Sequence, residues 1–104
     1  MSGSPRATVV KIGGSTLGSQ DTSLQDVVAM HAAGRRPVVV HGGGAMISDW
    51  LRRLEIPSTF VDGLRSTNAE ALDVVVGVLR GVVNAQLVSE IVALGGRAVG
   101  LCGV

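Results

Sequence analysis

The sequence predicts an α/β domain, a mainly parallel open sheet with helices on both faces in a three-layer sandwich. Three observations predict it. Short β-branched runs alternate with segments whose apolar residues recur every three to four positions, and the loops between them are short. Glycine, at 15 of 104 residues, gathers at the ends of those runs instead of spreading as it would in a linker.

Taken in order, Ala7 to Gly13 (ATVVKIG) is a β-branched run stopped by Gly13-Gly14 and is the first predicted strand. Leu24, Val27, Val28 and His31 then fall at helical spacing behind Thr22 and Gln25, which have capping-box spacing, and Gly34 ends that helix. Pro37 to His41 (PVVVH) is the second strand. Gly42-Gly43-Gly44 follows it, and Ile47, Trp50, Leu51 and Leu54 mark a helix that closes near Pro57. Thr59-Phe60-Val61 enters a tight Asp62-Gly63 turn, with Arg65 expected at an exposed loop tip. Thr67 and Glu70 repeat the capping-box spacing before a stripe of Ala69, Leu72, Val75, Val76, Leu79 and Val83. A break is predicted near Gly81, with a second helix resuming from Asn84 to Leu94. Arg97 to Leu101 is predicted as a further strand, and no domain boundary falls within residues 1–104.

Composition excludes several classes of function. Nine basic residues against eight acids, a net charge of +1, leave no excess to neutralise a phosphate backbone. A single cysteine, Cys102, forms no internal disulfide and is too little for a zinc cluster, so no metal site is expected. No run approaches the roughly 18 apolar residues of a membrane span, and the N-terminus has no signal-peptide core, so a soluble cytoplasmic protein is expected.

Chemistry is concentrated in few residues. Three successive glycines after a strand and before a helix allow backbone N–H groups to approach an anion at a helix N-terminus, although a plain tight turn would also use glycine there. The P-loop pattern and the dinucleotide pattern G-x-G-x-x-G are both absent. Lys11 is the only lysine beside eight arginines and precedes Gly13-Gly14, where it either faces a phosphate or reaches water from an edge strand. Taken alone, Arg65 reads as a solvated loop charge, His41 as a structural hydrogen-bonding residue, and His31, Trp50 and Phe60 as packed residues. Ser48, Ser66 and Ser89 have no nucleophile setting.

In their order and spacing, VVKIGGS, VVVHGGG, FVDGLRSTNAEALDVV and GGRAVGLCG resemble the amino acid kinase family across residues 8–104. KxGG marks the family broadly, and HGGG followed by GLR narrows the resemblance. It implies transfer of the ATP γ-phosphoryl group, with Mg2+, to the side-chain carboxylate of N-acetyl-L-glutamate in arginine synthesis. A sister kinase for another acyl-amino acid or carboxylate, or an inactive small-molecule-binding domain, are the alternatives. The resemblance further implies that Lys11 stabilises the transferring phosphoryl group and that Gly13 and Gly14 form a phosphate-side turn. It makes Gly43 and Gly44 substrate contacts and Arg65 the grip on the α-carboxylate. Asn68, Ala85 and Cys102 stand where the family commonly has Asp, Lys and Ser. The resemblance covers an N-terminal, substrate-binding lobe, so these residues alone are expected not to turn over, and a homodimer through the 69–80 helix is expected.

Overall fold

The computed structural model describes residues 7–13 and 22–103. Its elements are β1 (Val9–Ile12), α1 (Ser23–Ala32), β2 (Val38–His41), α2 (Gly44–Arg53), β3 (Thr59–Val61), β4 (Leu64–Ser66), α3 (Ala69–Gly77), a π-helical segment (Val78–Asn84) and α4 (Ala85–Ala93). The α/β character is as predicted. β1 and β2 pair in parallel, Val9 with Val38 through Ile12 with His41, with α1 in the crossover between them. β3 and β4 form a separate antiparallel hairpin. Asp62 and Gly63 at its tip both have positive φ, 50° and 78°, as a two-residue I′ turn requires.

The core lies between α2 and the long helix, where Ile47 and Leu51 meet Ala71, Val78, Val83 and Leu87. Trp50 packs against this cluster, as expected. The helix is continuous through Gly81, contrary to the predicted break. Its buried positions explain why: the step from Val78 to Val83 is five residues, followed by steps of four to Leu87 and Ile91. A turn of i to i+5 hydrogen bonding absorbs the extra residue and keeps all four on one side. In the sequence that irregular step reads as an interruption. The uninterrupted helix, Ala69–Ala93, has 25 residues and is long and apolar enough to cross a membrane, which the predicted break had concealed; Val78, Val83 and Leu87 set one side of it in the core with Ile47 and Leu51.

Other expectations are corrected. Neither capping box forms: the Thr22 hydroxyl bonds Asp26 at 3.4 Å, and α3 is capped by Asn68, whose Oδ1 accepts from the Ala71 N–H at 2.8 Å. His31 is exposed: α1 buries Val27, and its last turn lies at a cavity between α1 and α4. Residues 97–101 form no strand: they run past β2 without ladder bonds, and Val99 and Leu101 are 84% and 82% exposed. An apolar run becomes a strand only by pairing, and here the cavity separates it from the edge of β2. Residues alternate along the β1–β2 pair, with Ile12 buried while Val9, Val38 and Val40 share an exposed face with Lys11.

Candidate functional site

The parallel register brings the two glycine turns out of the sheet at one end. Ile12 pairs with His41, and the Gly42 N–H still reaches the Ile12 carbonyl at 3.4 Å. Gly13 and Gly42 to Gly44 therefore leave together from the carboxyl ends of β1 and β2, where open α/β sheets bind ligands. Gly14 lies outside the described residues. Lys11 lies beside Val40, just before these turns, exposed and without a hydrogen bond or ion pair among the described residues.

The two glycines of the second turn differ in what they permit. Gly43 is buried, and a Cβ there would lie 2.9 Å from Leu79 Cδ2 and 3.1 Å from Val83 Cγ2. Its lack of a side chain is what lets the turn sit on the π segment. Gly44 is exposed, faces open space and begins α2. That helix has no side-chain cap and no acid in its first turn, so its first N–H groups and the positive end of its dipole are left for another acceptor.

Arg65 is brought to this same point. It is half-buried on β4 and not at a loop tip, because the hairpin folds back toward α2. Its Nη2 donates to Ser48 Oγ at 2.8 Å and to the Gly44 carbonyl at 3.4 Å, and Nη1 donates to Ser58 Oγ. The guanidinium carbon lies 4.7 Å from the centroid of the Phe60 ring. Phe60, expected in the core, is 56% exposed and spends its ring face on this cation. No carboxylate pairs with Arg65 among the described residues; the nearby Asp49 of α2 is taken by Arg52 and, at 2.9 Å, by Arg53. A guanidinium and a helix N-terminus repel one another and both attract an anion. Their juxtaposition suits a carboxylate.

Ser48, Ser58 and Phe60 were not identified as site residues from the sequence. The hydroxyls carry no pattern, and only the D-G turn, which sets Phe60 opposite Arg65, could have exposed the ring contact.

His41 has the structural role expected of it. Its Nδ1 lies 2.9 Å from the Gly42 carbonyl, which can only accept, so Nδ1 carries the proton and Nε2 accepts from Asn84 Nδ2 at 3.1 Å. Asn84 ends the π segment, and a Cβ on Gly100 would come within 2.0 Å of its Oδ1. These contacts tie the glycine turn to the long helix. A cavity of about 480 Å³ adjoins His41, between β2, α1, α4 and residues 97–101. Its walls are mainly aliphatic and it excludes Lys11, Gly44 and Arg65, so the charge-bearing site lies elsewhere. Among the described residues no group of His, Cys, Asp and Glu side chains is placed to hold a metal ion.

Comparison with known proteins gives a consistent picture. The amino acid kinase family matches residues 6–104. An acetylglutamate kinase of Synechococcus sp. strain JA-2-3B'a(2-13) is 50% identical over 101 residues, which are 94% of this chain and 32% of that protein. An acetylglutamate kinase of Dehalococcoides mccartyi is 44% identical over 96 residues, 92% of this chain and 35% of that one. The chain thus spans about a third of the length of these curated relatives. The crystal structure of smu.665 from Streptococcus mutans UA159 superposes with a TM-score of 0.77 at 28% identity, over 86% of this chain and 37% of that one.

Proposed function

We propose, from the premise that this chain belongs to the amino acid kinase family, that it is the N-terminal, substrate-binding lobe of an acetylglutamate kinase. The observation that carries this is the Arg65 guanidinium, held without a carboxylate partner among the described residues at the uncapped N-terminus of α2. In this reading Arg65 draws the α-carboxylate of N-acetyl-L-glutamate by its charge and by the N–H groups that Ser48, Ser58 and Gly44 leave free, and Gly44, with no Cβ in the way, lets the substrate approach the first N–H groups of α2. Gly43 contributes backbone to the same wall. The nucleophile is the substrate's own side-chain carboxylate, whose oxygen bonds to the γ-phosphorus of ATP as the bond to the ADP oxygen breaks. Lys11, a compact charge two residues before Gly13, offsets the negative charge that develops on the phosphoryl oxygens. Such catalysis is positioning and charge neutralisation, so it needs no protein nucleophile or base. ATP enters with Mg2+, for which the described residues offer no ligand group, and no step here depends on one.

We further place the protein in the cytoplasm, as a homodimer through α3, on which Leu72 is 52% exposed. Light scattering showing hexamers would overturn the dimer. The activity is tested by ADP release from the full-length protein that carries this chain, with N-acetyl-L-glutamate, aspartate and N-acetyl-L-aminoadipate as competing acceptors. Turnover with N-acetyl-L-glutamate is expected; preference for either of the others would assign the lobe to a sister kinase, and turnover with none would leave a binding domain.

A further inference from the structure

Gripping a carboxylate requires an arginine; it does not require that arginine to lie under an aromatic ring. Phe60 and Arg65 are directly opposed across the β3–β4 hairpin, and the I′ turn at Asp62-Gly63 fixes that pairing. The ring contributes little to the core, being 56% exposed, and sits 4.7 Å from the guanidinium carbon. The ring face therefore sets the plane of the guanidinium. Rotation within that plane is set from another element, since Nη2 donates to the half-buried Ser48 Oγ of α2 at 2.8 Å. These contacts leave the Nε–H without an acceptor among the described residues.

We infer that Phe60 and Ser48 are positioning residues that hold the Arg65 guanidinium in the orientation a ligand carboxylate needs, an inference that rests on reading Arg65 as the carboxylate grip. A hydrogen bond from a guanidinium N–H is sensitive to angle, and an arginine ordered before the ligand arrives loses less freedom on binding. A serine hydroxyl and a ring face suit this task because neither neutralises the charge they orient.

The test is titration, with N-acetyl-L-glutamate, of the whole protein in which this chain is proposed to be the substrate-binding lobe, followed by NMR through the Arg65 Nε–Hε signal and the dissociation constant. In the free protein that signal is expected upfield of exposed arginines, because the ring current of Phe60 acts on it. Phe60→Leu and Ser48→Ala should each return it toward the exposed position and weaken binding roughly fivefold, the equivalent of one such contact. Phe60→Tyr, which keeps the ring face, should bind as the parent does. In an Arg65→Ala background neither substitution should weaken binding further, since both act through Arg65. Thermal melts accompany each variant; an equal loss of binding in the Arg65→Ala background, or a loss that follows the melting temperature, would make the role merely structural and overturn the inference. If Arg65→Ala weakens binding while Phe60→Leu and Ser48→Ala do not, the positioning role is wrong and the carboxylate grip stands. If the parent protein does not bind, or Arg65→Ala binds as the parent does, the grip itself falls and the inference falls with it.

Discussion

At the scale of single residues, Lys11 and Gly43 illustrate opposite relations between exposure and role. Lys11 is exposed and makes no ion pair among the described residues, so its removal changes little in the fold. Lys11→Ala is expected to leave the melting temperature nearly unchanged, within about 0.5 kcal/mol, while under the proposed function kcat of the whole kinase falls on the order of a hundredfold. A mutant retaining full kcat would remove Lys11 from the mechanism. Gly43 is the reverse case. A methyl group there meets Leu79 and Val83, so Gly43→Ala should destabilise the chain by roughly 1–3 kcal/mol in chemical denaturation. An unchanged midpoint would mean that the glycine turn moves freely on the helix. Lys11 and the glycines were legible in the sequence because their signals are local: a rare residue type and clustered turns beside strand ends. The surroundings of Arg65 were not, because Ser48 and Phe60 gain meaning only when the hairpin meets α2.

At the scale of elements, local chemistry predicted where helices lie better than how they begin and end. The Thr67–Glu70 spacing pointed to the right helix, but the structure uses the intervening Asn68. An asparagine and an aspartate at a cap both accept from a first-turn N–H. Asn68→Ala should cost about 1 kcal/mol, measured as a shift in the urea midpoint, and Asn68→Asp should cost less than half of that. Equal losses in the two variants would show that the side-chain bond to Ala71 is immaterial. The 97–101 segment marks the limit of this kind of reading. Its composition is that of a strand, but pairing is a property of two segments, and the edge it faces lies across a cavity.

At the scale of the whole molecule, the parallel pair leaves one face open. Val9, Val38 and Val40 form an apolar stripe there, beside Lys11. Such a stripe is normally covered by more polypeptide or by a partner. The isolated chain is accordingly expected to bind an apolar dye such as ANS and to self-associate with rising concentration in light scattering. A dye-silent monomer would show that water tolerates this face. The long helix joins the two sides of the molecule, meeting α2 through α3 and the π segment, and α1 through α4. Its five-residue step gives it an arithmetical surplus: without Gly81 the buried positions from Val78 onward would be four apart throughout. The π turn thus stores one removable residue. Deleting Gly81 should therefore preserve helical content by circular dichroism while breaking the His41–Asn84 bond, visible in the imidazole NMR signals. Loss of helical content would refute this. The same bulge that keeps two layers in phase is then a place where the length of the chain can change without the fold being lost.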